Sequence, residues 1–348
     1  MEVSRRLVAS GIEVEILCAD SPGQALVAER RHGVPIRSVR RWPANRDYYL
    51  APRIWPEMAR GGPWDVIHIQ SYHTLVPPLA MLRALTLRVP YVVTFHSGGH
   101  SSRLRHGLRG LQRRAQRPLL ARAARLIAVA QFEVDLYSRE LRLPPGRFAL
   151  IPNGTDVEAG DGDDIEGGGR DRDGDGGALL ASIGRLERYK GHQRAIEALP
   201  HVLERRADAR LLIVGTGPYE AELRRRAAQL GIPERVEFTS LPAEDREGMA
   251  RLLRRVSLVV LLSDYETHPL AALEAAALGR PMIVADRAGL GEVARDGLAR
   301  AVPPGATPEA VAGAVLEELE SPRRRPAPQL ASWDECAEAL RDLYRAIA

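Results

Sequence analysis

Short apolar runs alternate with longer stretches of mixed polarity along the whole chain. In the first half, Val14–Leu17, Val66–Ile69, Tyr91–Phe95 and Leu126–Val129 read as strands. In the second half, Leu179–Ile183, Leu211–Val214, Val236–Phe238, Leu258–Leu262 and Pro281–Ala285 do the same. Between them, Leu75–Ala84, Gln131–Leu141, His192–Arg206, Tyr219–Leu230 and Leu270–Leu278 carry helical spacing. Strands that alternate with helices predict parallel sheets covered on both faces. Two such series predict an α/β chain of two doubly wound domains.

Ile151-Pro152-Asn153-Gly154 is turn chemistry and marks the boundary. The predicted organisation is a first domain over residues 1–152, a linker over 153–177, a second domain over 178–325 and a C-terminal helix within 326–348. Within the linker, Val157 to Gly177 is almost entirely Gly, Asp, Glu and Arg. Too little apolar surface is available there to order the chain, so a flexible loop is expected. Asp171, Asp173, Asp175 and Gly176 imitate the start of a calcium-binding loop. Ser182 stands where its bidentate Glu is needed, so no calcium site is expected. A Pro/Arg-rich break, Ser321 to Pro328, precedes the last helix, Trp333 to about Ile347.

Composition changes the picture in three ways. The chain has 348 residues, 45% hydrophobic, enough for two cores without staples. Its two cysteines, Cys18 and Cys336, match no metal or redox spacing. No apolar run approaches a membrane span and no secretory signal follows Met1, so a soluble, cytoplasmic protein is expected. Charge is uneven: residues 1–156 hold 23 arginines against 12 acidic residues, a balance of +11, while residues 157–348 stand at −7. Opposite signs suggest different partners for the halves. Finally, Lys190 is the only lysine among 49 basic residues. Chance survival is one reading. The other is a site that needs a compact, mobile ammonium.

The most informative stretch is Ser257 to Pro281. A buried strand ends near Leu262, a polar loop Ser263–His268 follows, and Pro269 opens a helix that stops at Gly279. The helix start thus lies at the carboxyl edge of a parallel sheet, where open α/β folds bind ligands. Free N–H groups of Leu270 and Ala271 are expected to face an anion. Glu274 stands about 7–8 Å down the axis, roughly the offset from a diphosphate to its ribose. Its carboxylate suits two ribose hydroxyls. Glu266 precedes the helix and points toward whatever hangs on the far phosphate. An ordinary strand–helix unit with two solvated glutamates fits the spacing equally.

Ser182 to His192 is the second motif. Gly184 allows close backbone approach, and Arg185 and Lys190 flank a short loop. A guanidinium fork and an ammonium can clamp a diphosphate. A solvated basic turn is the alternative. In Leu211 to Leu223, Gly215 and Gly217 follow a strand, but Glu220 replaces the third glycine of a dinucleotide fingerprint. A tight turn is the expected reading there. In the first half, His96 lies just past a strand, beside Gly98 and Gly99. His68 and His73 show no metal spacing, and no nucleophile elbow, P-loop or zinc motif occurs.

Over nearly its whole length the sequence resembles a GT-B-fold glycosyltransferase of family 4, the retaining, nucleotide-sugar-dependent group. Glu266 and Glu274, with seven residues between them, match the family's glutamate pair. Gly184-Arg185-Leu186 with Lys190-Gly191 matches its phosphate-binding stretch, and Ile151–Gly154 with Asp156 its interdomain linker. The resemblance implies two Rossmann-like domains facing a cleft, with the last helix crossing back onto the first. It implies that Arg185 and Lys190 hold the donor diphosphate, Glu274 the ribose, and Glu266 the sugar, with backbone groups from His268 through Pro269 to Leu270. It places His96 beside the anomeric centre. It implies no metal and no cofactor beyond the nucleoside-diphosphate sugar as donor substrate. An acceptor in glycolipid, polysaccharide or cell-envelope glycan synthesis is expected.

Two departures follow. His268-Pro269 stands where the family has Phe-Gly, which removes one backbone donor. The family's opening strand and glycine-rich loop are missing before Glu2. That leaves a start that lies upstream, or a non-catalytic donor-binding remnant or partner subunit, as alternatives to an active enzyme. A hydrolase using the two glutamates as acid and base is disfavoured by the cations beside them. Arg103 to Arg125 is dense in arginine with Leu and Ala between, and as a helix it suits the anionic inner face of a membrane. No aromatics interleave there, so nucleic acid is not an expected partner.

Overall fold

The computed structural model describes residues 1–20, 26–44, 48–96, 103–155, 177–242, 245–323, 325–326 and 328–348. The Gly/Asp-rich segment with its calcium-loop imitation, Asp156, Gly98 and Gly99 lie outside the described residues. The chain divides into two compact units, the first built from Met1–Ser97, Ser102–Gly154 and Ala331–Ala348, the second over Thr155–Leu330.

Unit 1 opens on helix α1 (Glu2–Ala9). β1 (Ile16–Asp20), β2 (Leu26–Arg31) and β3 (Val34–Arg40) form a three-stranded sheet, with β3 central, parallel to β1 and antiparallel to β2. The β2–β3 hairpin escapes the sequence pattern. Its turn is His32-Gly33, both at positive φ, where the recognisable signal is Asn-Gly or Asp-Gly. After α2 (Ile54–Glu57), β4 (Ile67–Gln70), α3 (Val76–Leu87), β5 (Tyr91–Thr94), α4 (Arg103–Leu120), β6 (Arg125–Ala128), α5 (Gln131–Leu141) and β7 (Phe148–Leu150) alternate. β4 to β7 form a separate, wholly parallel sheet in sequential order. Its core centres on aromatics: Phe95 stacks on Tyr137 at 4.1 Å and meets Tyr72 edge-on at 5.5 Å.

Unit 2 is one continuous sheet. β8 (Leu179–Ile183), α6 (His192–Leu203), β9 (Arg210–Val214), α7 (Glu220–Gln229), β10 (Val236–Thr239), α8 (Arg246–Arg255), β11 (Leu258–Leu261), α9 (Leu270–Ala277), β12 (Met282–Ala285), α10 (Ala288–Arg295), β13 (Arg300–Val302) and α11 (Pro308–Glu320) follow in turn. All six strands run parallel in the order β10-β9-β8-β11-β12-β13. Both faces are covered, so β11 and β12 are buried at every position and read as unbroken apolar runs. Ile196, Leu199 and Val202 of α6 pack one face with Val311 and Val315 of α11. Ala272 and Ala275 of α9 pack the other with Leu253 of α8 and Leu290 of α10. Each such Leu, Ile or Val contributes about 1.5–3 kcal/mol of burial.

The chain ends on α12 (Trp333–Ile347), which belongs to unit 1. Ser332 and Glu335 close a capping box at its start. Cys336 and Leu340 then pack on Val92, Ile127 and Ile151. Arg6 of α1 donates to Asp334 at 2.8 Å.

Candidate functional site

In unit 2 the strand order reverses between β8 and β11, which are hydrogen-bonded neighbours. Their helices depart in opposite directions, and the loops beyond their carboxyl ends flank one crevice. Both motifs of the sequence reading converge there. Gly184 follows β8, and its N–H donates to Val214 O at 2.9 Å. The next strand's loop lies against it. A Cβ at Gly215 would stand 2.0 Å from Gly184 O, at a φ of +146°. Gly215 is therefore fixed by close packing of two strand–helix turns, which accounts for it without a dinucleotide.

The loop continues through a turn of 3-10 helix, Arg188–Lys190, to Gly191 at φ +76°. A Cβ at Gly191 would lie 2.0 Å from Leu262 O, so this loop and the end of β11 meet backbone to backbone. Asp264 N donates to Tyr189 O at 2.7 Å across the same seam. Lys190 Nζ is thereby brought to Glu266 Oε1, 2.6 Å away. The side chains of the pair are 16% and 19% exposed, mostly desolvated, which strengthens the ion pair. The only lysine and the first glutamate are thus partners.

Ser263, which the sequence reading passed over, completes this contact. It is buried, and its hydroxyl donates to Glu266 Oε1 at 2.9 Å while lying 3.2 Å from Lys190 O. Glu266 O accepts from Gly289 N at 2.9 Å. Nearby, Arg194 donates to Leu262 O at 2.7 Å and to Asp264 at 2.6 Å.

Glu274 sits in α9, 5% exposed, with its carboxylate on Arg246 Nη1 at 3.0 Å. Arg246 is the first residue of α8, and in a chain so rich in arginine no residue-type signal marks it. Two expectations need correction at the helix start. Pro269 is the cap rather than the first helical residue, and Leu270 N donates to His268 O at 2.9 Å. Pro269, at φ −78° and ψ 80°, forms an inverse γ-turn, a geometry its ring favours. One of the two amides expected to face an anion is therefore already bonded within the turn. His268 lies half-buried in the same loop.

Beneath these residues lies His192, the first residue of α6, 1% exposed. Its Nδ1 lies 2.8 Å from Ser182 Oγ and its Nε2 3.2 Å from Arg185 O. Burial, with the nearby Lys190 ammonium, lowers its pKa to about 4. Arg185 Nη2 donates to Tyr189 OH at 3.3 Å.

His96 is placed in unit 1, two residues past β5. It keeps an exposed surface, its carbonyl lies 3.0 Å from His73 Nε2, and desolvation of its ring lowers its pKa below the usual imidazole value. His68 in β4 lies 2.5 Å from Tyr344 OH and 2.6 Å from Thr94 Oγ1. Its three polar contacts, including Gln70, are internal to unit 1. Among the described residues, no helix is long and apolar enough to cross a membrane.

Known proteins share both parts of this chain. The family model for Glycosyltransferase Family 4 matches residues 1–159, and that for Glycosyl transferases group 1 matches residues 172–337. A D-inositol 3-phosphate glycosyltransferase of Frankia alni is 30% identical, over 93% of this chain and 86% of its own length. A GDP-mannose:cellobiosyl-diphosphopolyprenol alpha-mannosyltransferase of Xanthomonas oryzae is 26% identical, over 79% of this chain and 69% of its own. In fold, the chain is similar to a sucrose-phosphate synthase from Thermosynechococcus elongatus. The TM-score is 0.74 at 21% identity, covering 99% of this chain and 91% of that one.

Proposed function

The chain belongs to the group 1, family 4 glycosyltransferases of GT-B fold, and from that premise we propose that it moves a sugar from a nucleoside-diphosphate sugar to a glycolipid or glycan acceptor. The observation that carries this reading is the meeting of Lys190 and Glu266 across the two loops at the switch point of unit 2, with Arg185 in the first loop and Glu274 in the helix that follows the second.

The donor diphosphate binds between these loops and draws the Lys190 ammonium from Glu266. The freed carboxylate, still held by Ser263, then accepts from sugar hydroxyls. Glu274 accepts from the ribose. As the glycosidic bond breaks, charge grows on the departing diphosphate. Lys190 and the Arg185 guanidinium meet that charge in a preorganised site, the largest contribution such sites make. In this reading the two cations do what a metal ion does elsewhere. Transfer proceeds with retention and needs no enzymic nucleophile. The resemblance assigns His96 to the transferred sugar.

The acceptor is lipid-linked in this reading. Leu111 of α4 is 66% exposed, and Arg114, Ala115 and Pro118 share its outward face. The opposite face is fastened inward, with Gln112 and Gln116 donating to Tyr72 O at 3.0 and 3.1 Å. An exposed leucine among arginines suits the anionic cytoplasmic face of a membrane. The side chains of 103–109 lie outside the described residues.

The test is isothermal titration of UDP and GDP into the full chain, followed by a transfer assay with lipid-linked acceptors. Saturable nucleotide binding that Lys190→Ala abolishes supports the reading. Absence of affinity for either nucleotide rejects it. Binding without turnover would favour a donor-binding subunit over an enzyme. Cosedimentation with anionic but not neutral vesicles tests the membrane contact.

A further inference from the structure

We infer that His192 is a positioning residue for the diphosphate-binding loop, holding the Arg185 peptide through a directed hydrogen-bond relay that starts at Ser182. The inference rests on the donor site proposed above and names the device that holds its cation in place. Arg185 O can only accept, so His192 Nε2 carries the proton and donates to it across 3.2 Å. Nδ1 is then bare, and the Ser182 hydroxyl, 2.8 Å away, donates to it. One tautomer satisfies both contacts, and the carbonyl selects it.

The relay closes a ring of chain. Ser182 lies in β8, Arg185 in the loop after it, and His192 opens α6. The imidazole thus ties the strand, the loop and the helix that the loop leads to. The backbone around Arg185 is held from the other side as well. Gly184 N and Leu186 N donate to Val214 O and Thr216 O, each at 2.9 Å. Arg185 O also accepts from Glu187 N at 2.8 Å. His192 supplies the side-chain bond in this set, and it comes from a residue 1% exposed. A histidine at a helix start usually stands in water. Here burial, with the Lys190 ammonium nearby, keeps it neutral, so it fixes the loop without adding a further charge. A misplaced Arg185 would lose its fork geometry on a phosphate, and such positioning errors weaken binding steeply.

The experiment compares the full-length wild type with His192→Gln and His192→Leu. Glutamine can donate and accept in turn; leucine fills space alone. Calorimetry with UDP and GDP gives nucleotide affinity, and steady-state assays separate KM for donor from kcat. His192→Leu is expected to weaken nucleotide binding and raise donor KM by about ten- to a hundredfold. His192→Gln is expected to stay within about threefold of wild type. Nitrogen-15 NMR of the wild type is expected to show His192 protonated at Nε2, with no titration between pH 5.5 and 8. Equal affinity in all three proteins overturns the inference, as does a Gln variant no better than Leu. If both variants fail to fold, the spectrum decides: protonation at Nδ1, or titration near 6.5, overturns it. If the wild type binds neither nucleotide while the relay tautomer is seen, the donor site itself fails, and the positioning role falls with it.

Discussion

One histidine in each unit stands on the way out of a parallel strand, His96 two residues past β5 and His192 at the start of the helix that follows β8, and the two are held differently. His192 in unit 2 has both ring nitrogens engaged, lies under two backbone seams and is closed from water. His96 in unit 1 keeps an exposed surface, and its carbonyl meets His73 Nε2. The sheets differ in the same sense. Among the described residues, unit 2 has six strands in one continuous sheet with its switch point at the centre, whereas unit 1 divides its strands between two sheets. The contrast teaches where the chain holds a geometry in advance. Unit 2 holds its loops through its own backbone seams, a rigidity that suits the donor site proposed for it. The described part of unit 1 fixes its strands and leaves His96 less constrained.

The strongest way to break this contrast is Lys190→Ala. If unit 2 alone carries donor recognition, transfer should fall by about 100- to 1,000-fold, the usual cost of one preorganised charge donor. Nucleotide affinity should fall with it. His96→Ala should leave UDP and GDP affinity unchanged and lower kcat. Equal loss of nucleotide affinity in the two variants would erase the division of labour between the units.

The backbone seams give the next largest effect. Gly191→Ala would drive a Cβ to 2.0 Å from Leu262 O at a φ that L-residues avoid. A loss of about 2–4 kcal/mol is expected, in the range of other backbone-incompatible substitutions. Gly33→Ala is the control in unit 1. Its φ is also positive, at +81°, but nothing lies within 4 Å. Only the conformational cost remains there, about 1 kcal/mol. Thermal melts of the two variants check this, and equal losses would mean that the seam is not tightly closed.

Arg246→Ala sharpens the contrast within unit 2. Glu274 would lose its arginine but keep its place in α9. Donor KM should rise about three- to tenfold, the scale of one charge-assisted hydrogen bond, with kcat little changed. A fall in kcat at constant KM would place Arg246 in the chemical step instead.

Much of unit 2 was legible because its signals are local. A strand buried on both faces is an unbroken apolar run, and Ser257 to Leu278 shows strand, loop and helix in order. Lys190 and Glu266, which meet, both stand in the loops that follow two such strands. What escaped was whatever depends on distant partners. Ser263, His192 and Arg246 carry no spacing signal, and each is defined by what a remote loop brings to it. The Leu270 amide escaped for a different reason, since Pro269 could have been read either as first helical residue or as turn former. In unit 1 the β2–β3 hairpin was hidden by interruptions: its apolar positions Val34, Ile36 and Val39 are separated by Pro35 and by Arg37-Ser38, and its turn lacks Asn or Asp.

The last expected effect concerns pH. His192 in the folded chain has its pKa lowered to about 4, while the unfolded side chain titrates near 6.5. As pH falls from about 6.5 toward 4, the unfolded state takes up a proton that the native state refuses. Stability is therefore fully present above 6.5 and declines through this window, by at most about 1.4 kcal/mol per pH unit. His68 in unit 1, lowered to about 3, contributes with the same sign. The slope of the whole chain thus cannot assign the loss to either unit, but a difference between variants can. Denaturant midpoints at pH 7, 6 and 5 should fall less steeply for His192→Gln than for wild type. Parallel slopes would mean that the imidazole under the Arg185 loop charges as readily folded as unfolded, and that this loop is no more closed to water than the edge of unit 1.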